Sequence, residues 1–207
     1  MQINSDFEFQ IKIVIIGDSG VGKTNFIFQF TEGRFSPLHV ATVGFDYKSR
    51  IIKLPTSKIR VKLQIWDTAG QERYMALNKS IFQKVQGIII MYDLTNRSTF
   101  DNLNKWFNLA SQSASNKPKI LVANKLDLSD VSRIVTEEEG SNLAKEYQMP
   151  FFEGSGSSGD NVDKIFSHLA EMVYSNLIDE KESVNSNKIL ETKQQRRKCC
   201  KCYYIII

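Results

Sequence analysis

Near the start of the chain, the segment GDSGVGKT at residues 17–24 has the residue types and spacing of a loop that binds phosphate groups. Its glycines let the backbone curl so that N–H groups face phosphate oxygens, and the helix expected to begin near Lys23 directs its positive end toward the same anion. We expect Lys23 to reach the β- and γ-phosphates of a nucleotide and the Thr24 hydroxyl to ligate Mg²⁺. This phosphate loop predicts a nucleotide ligand but does not select its base.

The segment NKLD at residues 124–127 is expected to contact the base. A carboxylate at the carboxyl end of a strand can accept hydrogen bonds from the N1–H and 2-amino groups of guanine, a pair of donors that adenine lacks. We therefore expect Asp127 to bind guanine, Asn124 to brace the loop and the stem of Lys125 to lie along the base. An ATP-dependent enzyme with the same phosphate loop is the alternative that NKLD disfavours.

A third segment, WDTAGQE at residues 66–72, supplies groups for hydrolysis. Asp67 can reach Mg²⁺ through a water molecule, Gly70 can donate its N–H to the γ-phosphate, and Gln71 can orient an attacking water. The three segments together predict a protein that binds GTP with Mg²⁺ and hydrolyses it.

The elements that must position these segments alternate along the chain. Short apolar runs at residues 11–16, 87–92 and 119–123 predict strands that are buried on both faces, as in a parallel sheet under helices. Apolar residues spaced by three and four at residues 100–110 and 162–173 predict helices. Thr136 followed by Glu139 predicts a capping box that opens a further helix.

One edge of the predicted sheet is antiparallel. RVKLQIW at residues 60–66 alternates between apolar and polar side chains, and YKSRIIKL precedes it across a turn at residues 55–58. The pattern as a whole predicts a doubly wound α/β domain.

Length and charge set limits on the function. A chain of 207 residues fits one sizeable domain with an appendage, and we predict a domain over residues 1–177 and a flexible tail over residues 178–207. Of the net charge of +4, the tail carries +3 and the rest carries +1. A nearly neutral body argues against nucleic-acid binding, which needs a basic face. Five basic residues and no acid from Lys193 onward suit an anionic membrane surface.

All three cysteines, Cys199, Cys200 and Cys202, lie in the last nine residues of the chain. They could bind a metal, form a disulfide or carry lipid. A structural zinc site usually needs four ligands, and this cluster supplies three. A disulfide conflicts with the reducing cytosol that a body without cysteine suggests. The residue types alone leave the alternatives open.

With its three segments in this order, the chain resembles the small GTPases of the Ras superfamily and, within them, the Rab family, over roughly residues 8–177. KLQIWDTAGQER at residues 62–73 and ATVGFDY at residues 41–47 carry the resemblance most closely. It implies a mostly parallel six-stranded sheet flanked by helices, and a GTP/GDP switch that regulates vesicular membrane traffic. Thr42 would sense the γ-phosphate and Phe35 would pack against guanine.

The resemblance also implies a full set of site residues, partners and a location. The catalytic residue would be Gln71, and hydrolysis would be slow alone because residues 36–41 contain no arginine. Exchange factors, GTPase-activating proteins, escort proteins of the GDI type and effectors would be partners, and the protein would cycle between cytoplasm and the cytosolic face of an endomembrane or the plasma membrane. Nucleotide would be bound by Asp18, Ser19, Gly20, Val21, Gly22, Lys23, Thr24, Asn25, Phe35, Thr42, Gly70, Asn124, Lys125, Asp127, Ser155 and Gly156, and Mg²⁺ by Thr24, Thr42 and Asp67.

Two departures from the family pattern lead to specific expectations. Where the family usually has ETSAK, this chain has EGSGS at residues 153–157. We expect Gly154 and Gly156 to loosen this EGSGS loop and weaken nucleotide binding about tenfold or more. A GTP-binding scaffold with little hydrolysis is therefore the second hypothesis. The segment after residue 73 also lacks the paired tyrosines usual in Rab proteins.

For the cysteines, the resemblance favours two geranylgeranyl groups, on Cys200 and Cys202 or on Cys199 and Cys200. Two lipid chains anchor a protein stably where one binds only marginally. The five residues YYIII that follow Cys202 make the end longer than is usual in the family, and they would either insert at the lipid interface or block modification. Palmitoylation and unmodified cysteines are the alternatives.

Overall fold

The structure is a computed structural model that describes residues 6–37, 45–68 and 82–179, with no side chains described at residues 45, 46 and 68. The predictions for Thr42, Gly70, Gln71 and the three cysteines lie outside the described residues. The chain divides into two compact units, Met1–Val173 and Tyr174–Ile207. Of the second unit, residues 174–179 are described and are helical. The predicted boundary at residue 177 stays a prediction.

The described residues form one six-stranded sheet. The strands are β1 (Phe9–Ile16), β2 (Phe45–Lys53), β3 (Arg60–Thr68), β4 (Gly87–Asp93), β5 (Lys119–Asn124) and β6 (Phe151–Glu153). Their order is β2-β3-β1-β4-β5-β6, with β2 antiparallel to β3 and the other neighbours parallel. The prediction of a doubly wound, mostly parallel sheet with one antiparallel edge is confirmed.

Helices connect the strands. The helices are α1 (Lys23–Glu32), α2 (Arg97–Asp101), α3 (Leu103–Ala114), α4 (Ser129–Ser132), α5 (Glu137–Glu146) and α6 (residues 162–179), with a 3₁₀ turn at Leu126–Leu128 and a helical turn at residues 82–84. The capping box of Thr136 and Glu139 opens α5 as predicted. The stripe predicted over residues 100–110 is divided at Asn102 into α2 and α3.

Apolar side chains fill both faces of the sheet. Every residue of β4 is buried, whereas β3 buries Val61, Leu63 and Ile65 in alternation, as its pattern predicts. On one face Trp106 of α3 packs into the core, and on the other Phe30 of α1 stacks on Phe166 of α6 with 4.1 Å between ring centroids. Because β1, β3, β4 and β5 are parallel, their carboxyl ends meet at one edge of the sheet, where ligands bind in such folds.

Candidate nucleotide site

The phosphate loop connects β1 to α1 through backbone shapes that glycine allows. Gly17 has φ +147°, and a Cβ there would lie 2.1 Å from the carbonyl oxygen of Met91. Gly22 has φ +93°, and its Cβ would lie 2.5 Å from Nδ2 of Asn124. Both positions therefore need glycine for a close approach as well as for the turn. The close approach seats the phosphate loop against the ends of β4 and β5.

Lys23 is a buried cation in this loop. Its side chain belongs to the first residue of α1, and the residue is 5% exposed. Its Nζ donates to the carbonyl oxygens of Gly17 and Asp18, each at 2.8 Å. Burial lowers the pKa of Lys23 to about 8, while the charges of Asp67 and Asp18 oppose that shift. An anion bound at the loop would hold the ammonium in its charged form.

Thr24 and Asp67 bring a hydroxyl and a carboxylate together beside Lys23. Oγ1 of Thr24 donates to Oδ2 of Asp67 at 2.6 Å, and Asp67 is 6% exposed. Oxygen ligands of these two kinds suit a hard divalent cation such as Mg²⁺, which usually takes one or two protein ligands together with phosphate oxygens. In the described ranges, no group of three or more His, Cys, Asp or Glu side chains is placed to hold a metal.

Asn124 links the phosphate loop to the EGSGS loop. Its Nδ2 donates to the carbonyl oxygen of Val21 at 2.7 Å, and its Oδ1 accepts the N–H of Gly156 at 3.0 Å. The side chain stands at the end of β5 and the residue is 3% exposed. It has the geometry of the brace expected from NKLD. The N–H of Gly156, a residue expected to bind nucleotide, is bonded to this side chain.

Asp127 is held in place by Ser155. Oγ of Ser155 donates to Oδ1 of Asp127 at 2.5 Å and accepts the N–H groups of Ser157 and Ser158, each at 3.0 Å. Ser155 is completely buried, whereas Asp127 is exposed. One oxygen of the carboxylate is thus fixed to the protein while the residue faces solvent. This arrangement presents an oriented acceptor at the surface of the cleft.

Backbone hydrogen bonds connect the EGSGS loop, which the sequence predicts to be loosened by its glycines, to the segments around it. Gly154 donates to Ala123 at 2.9 Å and accepts from Leu126 at 3.0 Å, while Ser155 donates to Asp160 at 3.0 Å. A Cβ on Gly156 would lie 2.9 Å from the backbone nitrogen of Phe26. A side chain at residue 156 would therefore force a local shift, because α1 passes so close to it.

Lys125 forms an ion pair that the sequence did not predict. Its backbone is left-handed, with φ +72°, and its Nζ lies 2.6 Å from Oδ2 of Asp93. Asp93 is 4% exposed at the end of β4, so the pair fixes where the lysine stem runs. In the sequence, Asp93 directly follows an apolar run, as Asn124 does. This placement is the feature from which the ion pair could have been predicted.

A second ion pair, which the sequence analysis also did not predict, connects the residue after α4 to the EGSGS loop. The guanidinium of Arg133 donates twice to the carboxylate of Glu153, at 2.7 and 2.8 Å. The side chains of Arg133 and Glu153 are 24% and 11% exposed. A two-point pair of this kind fixes geometry as well as charge.

Asn25 fixes the chain that leaves α1. Its side chain donates to the carbonyl oxygen of Ser36 at 2.9 Å and accepts the N–H of Ser36 at 3.2 Å. This pair of hydrogen bonds holds Ser36, which directly follows Phe35 in the sequence, and Phe35 is 45% exposed. Of the remaining predicted residues in the phosphate loop, Ser19 and Gly20 are exposed and Val21 is buried.

Comparisons with known proteins identify the family to which this chain is similar. The model of the Ras family matches residues 12–175. The chain is 40% identical over 198 residues to GTP-binding protein ypt2 of Schizosaccharomyces pombe, covering 94% of this chain and 98% of the relative. It is 39% identical over 181 residues to Ras-related protein SEC4 of Saccharomyces cerevisiae, covering 87% and 79%. With Ras-related protein RABE1e of Arabidopsis thaliana the identity is 37% over 195 residues, covering 94% and 88%.

Among the described residues, no helix is both long enough and apolar enough to cross a membrane.

Proposed function

The chain belongs to the Ras family of small GTPases and, within it, to the Rab proteins, and from that premise we propose how its own residues perform the switch. As a Rab-like GTPase it binds GTP and GDP, hydrolyses GTP and regulates vesicular traffic, and regulators and effectors read its nucleotide state. The family relationship does not favour a scaffold with little hydrolysis.

The observation that carries the site assignment is the link through Asn124. This one buried side chain contacts both the phosphate loop and the EGSGS loop, so the two ends of the cleft are held at a fixed separation. We assign the base to the end where Asp127 presents a fixed carboxylate. We assign the phosphates to the end where Lys23 lies. Guanine fits the first end because it offers two adjacent donors to a carboxylate.

Residues around each end complete the nucleotide site. At the base, Lys125 lies along one side by virtue of its pair with Asp93, and Phe35 packs on guanine from the segment that Asn25 fixes. At the phosphates, N–H groups of the curled loop and the first turn of α1 receive the anion. The residues assigned to the phosphates are Asp18, Ser19, Gly20, Val21, Gly22, Lys23, Thr24 and Asn25, with Gly70 at the γ-phosphate.

Mg²⁺ fits the same end of the cleft. Thr24 and Asp67 already place a hydroxyl and a carboxylate oxygen 2.6 Å apart, and we assign Thr42 as the third protein ligand. When bound, the ion neutralises charge that develops on the phosphate oxygens. Lys23 adds a second positive charge from the protein, and burial keeps competing water away from it.

Gln71 is assigned to orient the attacking water. With no arginine in residues 36–41 to stabilise the transition state from within, the protein hydrolyses GTP slowly alone. A GTPase-activating protein that supplies an arginine in trans accelerates this step, and an exchange factor replaces GDP with GTP.

The tail is assigned to membrane attachment. Geranylgeranyl groups on Cys200 and Cys202, or on Cys199 and Cys200, provide two chains for stable anchoring, and the basic residues before them add attraction to anionic lipid. A GDI-type escort then carries the lipidated protein through the cytoplasm between membranes.

Nucleotide selectivity tests the site assignment. Competition of GDP and ADP against fluorescent GDP, with Mg²⁺ present, measures both affinities on the same protein. We expect GDP to bind at least about a thousandfold more tightly, because adenine leaves the Asp127 carboxylate unpaired. Equal affinities would contradict the assignment of the base.

Turnover and the tail need separate measurements. Single-turnover hydrolysis should slow strongly in Gln71→Leu, and hydrolysis insensitive to that substitution would remove Gln71 from its assigned role.

Mass spectrometry of the C-terminal peptide from native cells should show two geranylgeranyl additions. An unmodified peptide would contradict membrane attachment through these cysteines.

A further inference from the structure

Asp18 places a carboxylate inside a loop that binds anions. It follows Gly17 directly, and its side chain is 14% exposed. A negative charge in this position repels phosphate unless other groups of the protein compensate it. The backbone of the same residue also accepts a hydrogen bond from Lys23 at 2.8 Å, so a movement of Asp18 would shift the carbonyl that positions the ammonium.

Three donors around the first turn of α3 compensate this carboxylate. Nδ2 of Asn102 donates to Oδ2 at 2.7 Å, and Nε1 of Trp106 donates to Oδ1 at 2.8 Å. Nζ of Lys105 lies 3.1 Å from Oδ1. Lys105 and Trp106 lie three and four residues after Asn102, and this spacing puts the three side chains on one face of the helix. Both carboxylate oxygens are therefore engaged by the same element.

The three donors differ in how firmly the fold holds them. Trp106 is 1% exposed, and its ring belongs to the apolar core beneath α3, so the direction of its N–H is set by packing. The side chain of Lys105 is 28% exposed and supplies the compensating charge from the surface. Trp106 thus fixes the position of the carboxylate, and Lys105 neutralises it.

We propose that Lys105 and Trp106, with Asn102, are positioning residues for the phosphate loop and that their hold on Asp18 sets the rate at which bound nucleotide dissociates. The inference rests on the proposed function, because it requires GDP at this loop. None of the three is assigned to the nucleotide site, and each acts through Asp18.

The test is the dissociation rate of fluorescent GDP, chased with excess GDP in the presence of Mg²⁺. Lys105→Gln removes the charge from a surface position, and Trp106→Phe removes the N–H while keeping a ring in the core. We expect each to release GDP about tenfold faster than the wild type. Lys145→Gln, which removes a positive charge from an exposed site on α5, is the matched control and should leave the rate within about twofold.

A double-mutant cycle separates positioning through Asp18 from a general structural effect. In an Asp18→Asn background, Lys105→Gln should change the rate less than about twofold, because no carboxylate is left to neutralise. An unchanged rate in Lys105→Gln alone would overturn the proposal, as would an equal acceleration with and without the Asp18 charge. If Trp106→Phe does not fold, the double-mutant cycle of Lys105 and Asp18 still tests the proposal. A wild-type protein that fails to retain GDP would instead count against the proposed function.

Discussion

At the base end of the cleft the protein satisfies its own polar groups, whereas at the phosphate end it buries charge. The hydroxyl of Ser155 makes three hydrogen bonds, one of which fixes Asp127, and the side chain of Asn124 accepts the N–H of Gly156 in the same loop. At the phosphate end Lys23 is buried among carbonyl oxygens, and its pKa is lowered to about 8 because burial disfavours its charge. The first end is preformed, and the second gains most from a bound anion.

Because of this difference, we expect the two ends of the cleft to contribute separately to nucleotide affinity and to base selectivity. Burying a cation costs free energy, and a ligand that pairs with it returns that free energy as binding. The phosphate end should therefore dominate the affinity for any nucleotide. The base end, with an acceptor fixed before the ligand arrives, should decide which base is accepted.

Lys23→Met tests the phosphate end and should give the largest effect. The substitution keeps an unbranched stem but removes the charge, so we expect GDP to bind about a thousandfold more weakly. The free energy of unfolding without nucleotide should not fall, because the cost of burying the charge disappears. Titration of fluorescent GDP and urea unfolding measure the two quantities.

Lys119→Met is the matched control for that test. Lys119 also donates to two carbonyl oxygens, those of Ser115 and Lys117, but at the opposite end of β5. GDP affinity should change less than about twofold. If Lys23→Met bound GDP within about tenfold of the wild type, the phosphate end would not dominate affinity.

Asp127→Asn tests the base end. The amide oxygen of asparagine can still accept from Ser155, so the fold should persist, but the second acceptor for guanine becomes a donor. We expect GDP to bind about a hundredfold more weakly with ADP unchanged, measured by competition. Asp130→Asn, the same exchange at an exposed site on α4, should leave both affinities unchanged. A preference for GDP over ADP as large in Asp127→Asn as in the wild type would refute a selective base end.

Gly156→Ala tests whether the EGSGS loop is as closely packed as its contacts indicate. The new Cβ would lie 2.9 Å from the backbone of Phe26, so we expect urea unfolding to show a loss of about 1–3 kcal/mol. This result would hold even though alanine is the usual residue of the family. Ser157→Ala, at an exposed neighbour, should change stability by less than about 0.5 kcal/mol. Stability unchanged in Gly156→Ala would mean that the loop can shift away from α1.

Tyr92→Phe is the smallest expected effect and separates stability from nucleotide binding. The Tyr92 hydroxyl is buried in β4 with no hydrogen-bond partner among the described residues, and burial raises the pKa of Tyr92. Removing it should stabilise the fold by about 1 kcal/mol in urea unfolding, with the GDP affinity unchanged. A loss of stability would show that the hydroxyl makes a stabilising contact.

The sequence predicted the elements and the ligand class because both depend on local patterns. Apolar runs identified the parallel strands, and the phosphate loop and NKLD each follow a strand, where the fold brings strand ends together. The same local reading did not predict the contacts of the EGSGS loop. It assumed that glycine loosens the backbone, whereas the close approach of Phe26 to Gly156 depends on how α1 packs, which no local pattern records.

Side-chain pairs between distant segments were the other omission. Asp18 bonds to Trp106 across 88 residues of sequence, and Arg133 pairs with Glu153 across two different loops. Each residue alone is an ordinary charged or aromatic side chain, and its role follows only from the tertiary arrangement. The ion pair of Lys125 with Asp93 could have been anticipated, since both follow buried strands that are neighbours in the sheet.

Amide hydrogen exchange with and without GDP and Mg²⁺ tests the central contrast in one experiment. If the base end is preformed, amides at residues 154–158 are protected before nucleotide is added and slow further by less than about threefold, whereas those at residues 18–24 slow by about a hundredfold or more. Rapid exchange at residues 154–158 until GDP binds, with a gain in protection equal to that of the phosphate loop, would contradict the account.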